Sequence, residues 1–515
     1  MKNLLLFLSI ILSFNVYSQI SYEERFEIVK EDGYSKYKIY EFGEYGLLMR
    51  SVATKDVEDN TELKFELINT NLEIESKKSV MLGNKMYDNE IFITNNCYHN
   101  LFKGRKGKFT LVSIDIKNFK VYKVDGILPK KMRTGDMAVL GDYAYFKARV
   151  KRKYFVFSLN WKTGETNTIP VLIQSVKPKN IFLKKFQVLE ASNEIFLYLI
   201  VIEKKNYDLY VMRLNENGEK ESLFNMNKNI EKIITDITAF PIGNDQYIFS
   251  GTYTTSSIRD KQHALPTYGK FSTPSIGVFF CKTNDNNNIE FIEFYNFLDL
   301  NNFLNFLSEK RQKKIKKKRE SKRKEYDLSY DITMHDIIHI DDAYILLGEA
   351  FNTTFRIKTY EDRITVNGVT ETQTRSRNEF DGFQYSRAFI ARFENDGNME
   401  WDHCLNLNDA SKTLTEKKNI SIQEQNANSI KLVFSSSNKI NYEKVDFGGK
   451  ILHDFESVEI ETSYDDKKVI STVSNLDYWY DNYFIVYGTQ TIEEKDSKGK
   501  KREKKILYIS KVLIQ

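Results

Sequence analysis

Short apolar runs recur along the chain, and each runs into turn chemistry. The clearest is FIARF at 389–393, followed by the turn Glu394-Asn395-Asp396-Gly397 and a return run at 398–405 that carries Trp401. Asp-Gly suits a tight reversal, because Gly accepts positive φ without a Cβ clash. The same layout appears in YVMRL (210–214) before NENG, FVFSL (155–159) before NWKTG, and FTLVSI (109–114) before DIKN. It appears again in KFELI (64–68) before NTN, VFFCK (278–282) before TNDNNN, and INYEKV (440–445) before DFGG. The pattern predicts seven strand–turn–strand units. A second apolar strand precedes each, often ending in Gly: YIFSG (247–251), YILLG (344–348) and FIVYG (484–488), with weaker forms at 46–49, 90–93, 143–146, 195–200 and 430–434.

These eight starts lie roughly 40 to 55 residues apart where no insertion intervenes, close to the blade period of propellers. The expectation is an all-β chain folded as a β-propeller of eight blades, or seven if two weak starts merge. The last unit, 506–515, stops where its hairpin turn should come. Its missing partner is then the strand predicted at 20–29, which closes the ring and removes exposed sheet edges. A generic stack of hairpins, a sandwich or two smaller β domains also fit the pattern.

Two stretches interrupt the repeat. Residues 301–330 open with Phe303, Leu304, Phe306 and Leu307, which can share one helical face, and continue as EKRQKKIKKKRESKRKE. Residues 309–325 hold 11 Lys/Arg against 3 Glu, a net +8 within a chain of net +5, so the remainder carries −3. Basic character therefore belongs to one insertion, expected as a solvated helix or a disordered loop. Its cations Lys310, Arg311, Lys313, Lys314, Lys316, Lys317, Lys318 and Arg319 are the candidate binding residues. Their partner would be an anionic polymer, a lipid headgroup or a surface protein. The second stretch, 352–385, is expected as a polar loop, with a short hairpin of Ile364, Val366 and Val369 around Asn367-Gly368.

Residues 1–18 read as a secretory signal, with Lys2 ahead of an apolar run at 4–12 and a cut before Gln19. No Cys follows that run, so the chain is expected to be exported, periplasmic or extracellular, and not a lipoprotein; an uncleaved anchor is the alternative. Residues 19–515 then form one propeller domain. Apolar residues make up 41% and aromatics 14%, enough for a large core, and the six prolines leave little room for long linkers. Cys97, Cys281 and Cys404 form no disulfide framework.

Candidate chemistry is sparse. His335 and His339 stand at i and i+4, but on a strand they would lie ~13 Å apart, too far for one metal ion. Asp236 and Asp336 each precede a Tyr-x-x-x-Gly strand and would face the channel if that strand were innermost. There they could serve glycoside hydrolysis or simply bond local amides. No cofactor motif is present, and no metal site is expected. The segment Ser158-Leu159-Asn160-Trp161-Lys162-Thr163-Gly164 resembles the strand end and Asp-x-x-Thr-Gly turn of quinoprotein-type propellers, with Asn for Asp. Residues 397–401 resemble their Gly-x-x-x-Trp docking element. The adjacent cysteines of the dehydrogenases in that family are absent, so the resemblance implies blade geometry and not the cofactor. Residues 396–401 are also similar to the Asp-box turn of sialidases, which is structural in that family. A binding or scaffold protein is the expected function, and a glycan hydrolase the alternative.

Overall fold

The computed structural model describes residues 19–515 apart from 29–32, 56–59, 84, 204–205, 228–229, 244, 256–273, 306, 322–326, 367–368, 411, 426–427, 464–467 and 496–500. The proposed signal at 1–18 lies outside the described residues.

Among the described residues the strands form eight antiparallel sheets, each a meander in chain order except the last, which takes in the first strand of the chain. Blades 1 to 4 span residues 34–82, 87–127, 132–170 and 181–225. Blades 5 to 7 span 233–296, 331–406 and 421–459. Blade 8 takes three strands from 469–514 and its outermost strand from Ile20–Ile28, which pairs antiparallel with Lys501–Ile514. Eight buried apolar clusters join the blades in cyclic order. In the last of them Trp479 and Ile485 of blade 8 meet Leu47 and Met49 of blade 1. The chain is a β-propeller.

The second and third strands hold the core because they are apolar on both faces; Ile195, Phe196, Leu197, Tyr198 and Leu199 are all fully buried. The glycine within several second strands has a steric cause. A Cβ on Gly251 would sit 2.1 Å from the Asp236 carbonyl oxygen, and one on Gly488 would sit 1.9 Å from that of Val473. The first strand presses there against the second. The turns between strands three and four share one device: Asn69, Asn215 and Asn284 each accept backbone N–H groups two and four residues on. Trp401 fills the seam between blades 6 and 7, donating its indole N–H to the Phe447 carbonyl at 2.8 Å.

Four details differ from expectation. The second strand of blade 2 is Cys97–Lys103, and residues 90–93 belong to its first strand, Tyr87–Ile93. The Tyr-x-x-x-Gly strands are second in their sheets; the strand before each is innermost. Residues 352–385 do not form an irregular loop: Ala343–Val366 and Val369–Glu394 stay paired out to Val366–Val369, projecting as a long hairpin arm. In the basic insertion, Phe303 and Leu304 are buried in a turn that precedes the helix rather than within it, and Phe303 stacks on Phe297 at 4.7 Å. The helix, α1, is Glu309–Glu320; Phe306 lies outside the described residues.

Candidate functional site

A meander ring has two unlike faces. Turns between strands one and two, and three and four, emerge on one. Turns between strands two and three, and the links from blade to blade, emerge on the other. The hairpin arm of blade 6 is a two–three turn, and the insertion carrying α1 links blade 5 to blade 6. Both interruptions of the repeat therefore lie on one face.

α1 stands on that face with all its lysines and arginines exposed. It is tethered by Ile315, which packs on the blade 5–6 cluster, and by Arg319, which bonds Asp299 and donates to the Leu298 carbonyl at 2.8 Å. Arg319 is thus partly a structural group. Lys313 pairs loosely with Glu309 at 3.7 Å. Lys310, Arg311, Lys314, Lys316, Lys317 and Lys318 lie along the exposed helix.

The same face holds a cavity of about 730 Å³ between blades 2 and 3. The two–three turn of blade 2 supplies Lys106 and Gly107. The link to blade 3 supplies Leu128, Pro129, Lys130 and Lys131, the start of blade 3's first strand supplies Met132 and Arg133, the end of its second strand Arg149, and its two–three turn Lys151. Among the described residues six cations surround it and no carboxylate lines it. Among the described residues none of the six has an acidic partner. Arg149 donates Nε–H to the Lys151 carbonyl at 2.7 Å and lies over the Tyr154 ring, which fixes its guanidinium. Sequence reasoning missed this site. Its signal is three short basic runs, 105–108, 130–133 and 149–153, none of which stands out alone.

The channel is built differently. Successive first strands lie side by side, and most break register at one point, as between Asp88 and Glu90 and between Ile234 and Asp236. Charged side chains gather at this level and bridge neighbouring blades: Lys38 to Asp88 at 3.0 Å, Lys185 to Asp236 at 3.0 Å and Lys418 to Asp336 at 2.8 Å. Lys147 pairs with Asp136 at 3.2 Å and donates to the Lys184 carbonyl at 3.0 Å. Asp236 lies on the first strand of blade 5 and Asp336 between the two short opening strands of blade 6, each held by a lysine of an adjoining segment. Burial alone would push these carboxyls up, but Lys185 and Lys184 hold Asp236, and Lys418 holds Asp336, below the usual carboxylate range. Both carboxyls are therefore held in their charged form.

The two histidines part company. His335 bonds the fully buried Glu349 at 2.8 Å, whereas His339 stacks on Tyr344 with ring centres 4.8 Å apart. Glu349 also accepts from the Asn419 and Ile420 amides at 2.8 and 2.9 Å, tying blade 6 to the link into blade 7. At the blade 8–1 seam, burial and then the Asp477 carboxylate push Glu41 up to about 8. Asp477 accepts from the Tyr487 hydroxyl at 2.8 Å and borders a cavity of about 220 Å³. All three cysteines are free thiols. Among the described residues no helix is long and apolar enough to cross a membrane.

No family model matches the chain, and no curated relative does. Solved structures similar to it include the polysaccharide lyase Uly1, at 9% identity and TM-score 0.40, covering 96% of this chain and all of that one. The β-propeller domain of the trilobed protease from Pyrococcus furiosus matches at 9% identity and TM-score 0.32, covering 82% and 98% of the two chains. The WD40 domain of SCAP from fission yeast matches at 12% identity and TM-score 0.36, covering 83% and 95%.

Proposed function

We propose that this propeller is an exported binding protein whose insertion-bearing face takes an anionic polymer. One observation carries the reading: among the described residues the six cations around the cavity on that face have no acidic partner, while the charges in the channel neutralise one another across blade seams. Unpaired, exposed cations are available to a ligand; paired ones must first give up a partner. α1 supplies an exposed fringe of charge suited to long-range capture, and the cavity beside blades 2 and 3 supplies a shaped surface.

The test is retention on immobilised heparin against a salt gradient. The wild-type protein is expected to elute well above physiological salt. Changing Lys310, Arg311, Lys313, Lys314, Lys316, Lys317 and Lys318 to Gln, with Arg319 kept as the tether, should move elution to lower salt and leave the melting temperature unchanged. Passage of the wild-type protein through the column at low salt would end the proposal. Export is tested separately by finding mature chain that begins at Gln19 outside the cytoplasm.

A further inference from the structure

We infer that the cavity between blades 2 and 3 is a specific subsite for a short stretch of sugar chain bearing tetrahedral oxyanion esters, sulfate or phosphate; this rests on the anionic-polymer reading and names its ligand class. Three features select that class. The first is size: about 730 Å³ falls in the ~300–1,000 Å³ range of sites that enclose a small ligand, so a few rings fit and an extended polymer does not. The second is charge density. Six cations face one cavity with no carboxylate in its lining. A uronic acid chain brings one negative charge per ring, too few to match them, whereas an esterified chain brings several. Arg133 and Arg149 add planar forks that grip oxyanions in bidentate fashion, and Arg149 is already oriented by its bond to the Lys151 carbonyl.

The third feature is the floor. Leu128, Pro129 and Met132 lie among the cations. Inorganic polyphosphate offers nothing to an apolar surface; the carbon face of a sugar ring does. The backbone adds a separate point. Lys106, Lys131 and Lys151 have φ of 58°, 68° and 55°, a region where Gly or Asn would be the locally favoured choice. Lysine occupies the three positions all the same.

The experiment is calorimetric titration of the full chain at 150 mM salt with four probes: a heparin hexasaccharide, a phosphomannan oligosaccharide, an oligogalacturonate and polyphosphate of matched charge. One of the two esterified sugars should bind saturably and more tightly than the last two. Lys130→Glu with Arg133→Glu should weaken that binding on the order of a hundredfold. Lys131→Gly with Lys151→Gly should weaken it roughly tenfold while the melting temperature holds or rises, which separates a lost contact from a damaged fold. The α1 glutamine variant should stay within about twofold of wild type, because the short probe is seated in the cavity. Equal binding by the cavity variants, or equal binding of polyphosphate or oligogalacturonate, overturns the subsite. Heparin retention that depends on α1 but not on the cavity overturns the subsite alone and leaves the polymer reading standing; no retention by the wild type removes both.

Discussion

The channel and the insertion-bearing face are both rich in lysine, yet they use it in opposite ways. In the channel, Lys38, Lys185 and Lys418 each meet a carboxylate across a blade seam. On the face, Lys106, Lys130, Lys131 and Lys151 surround a cavity with no acid in its lining. The first arrangement lowers the free energy of the closed ring. The second raises it, since like charges crowded at a surface repel. A ligand of opposite sign would relieve that repulsion and stabilise the fold by mass action. The contrast predicts that substitutions along the channel are read in stability and those on the face in binding.

The largest effect is expected where pairing is deepest. Glu349 is fully buried and accepts from His335, Asn419 and Ile420. Glu349→Ala leaves a buried amide donor, a part-buried one and a buried imidazole without an acceptor, which should cost roughly 3–5 kcal/mol. Urea unfolding measures it, and a loss under about 1 kcal/mol would erase the distinction between the two regions. Heparin retention of the folded protein should not change.

The next effect is a pH dependence at the blade 8–1 seam. Glu41 holds its proton up to about 8 in the fold but only to ~4.3 in the unfolded chain. Between those values the folded state binds more protons, so stability falls as pH rises. The slope for one group is at most about 1.4 kcal/mol per pH unit. Below the unfolded value the group is protonated in both states and contributes nothing. Glu41→Gln, a neutral mimic of the protonated form, should flatten the fall and raise the melting temperature at pH 8. A variant whose pH profile overlays the wild type would mean that the carboxylate is solvated after all.

What could be read from the sequence follows from where each strand sits. Second and third strands such as 195–200 and 210–214 are buried on both faces and end in Asx or glycine turns, so composition and punctuation agree. Fourth strands lie at the rim: Ile74–Leu82, IESKKSVML, is mostly polar and was legible only as the return leg of a hairpin. First strands are the hardest, because the channel wets one side and a register break interrupts the alternation, as at Ile234–Asp236. That is why Asp236 was read only as a residue ahead of the Tyr-x-x-x-Gly strand, when it lies on a first strand of its own, Ile233–Gly243. The ligand face divides in the same way. The cations of α1 are contiguous in sequence and visible at once. Those of the cavity come from three turns of two blades, and only the packing of blade 2 on blade 3 through Phe109, Phe146 and Phe157 brings them together.

The smallest effect has the most diagnostic sign. The Asp336 side chain is exposed and its pair with Lys418 is solvated, so Asp336→Asn should lose no more than about 1 kcal/mol. Lys130→Glu, on the face, should instead gain a few tenths of a kcal/mol at low salt by replacing a repulsion with an attraction toward Arg133 and Lys131. Salt separates the two further. At 0.1 M the screening length is about 10 Å and at 1 M about 3 Å. The gain from Lys130→Glu comes from exposed cations spread around an open cavity, so it should vanish in 1 M salt. The loss from Asp336→Asn comes from a pair in direct contact and should persist in part. Paired melting curves at the two salt concentrations measure both. If Lys130→Glu destabilised the protein at low salt, the lysine would have a partner in the fold, and the face would be built like the channel.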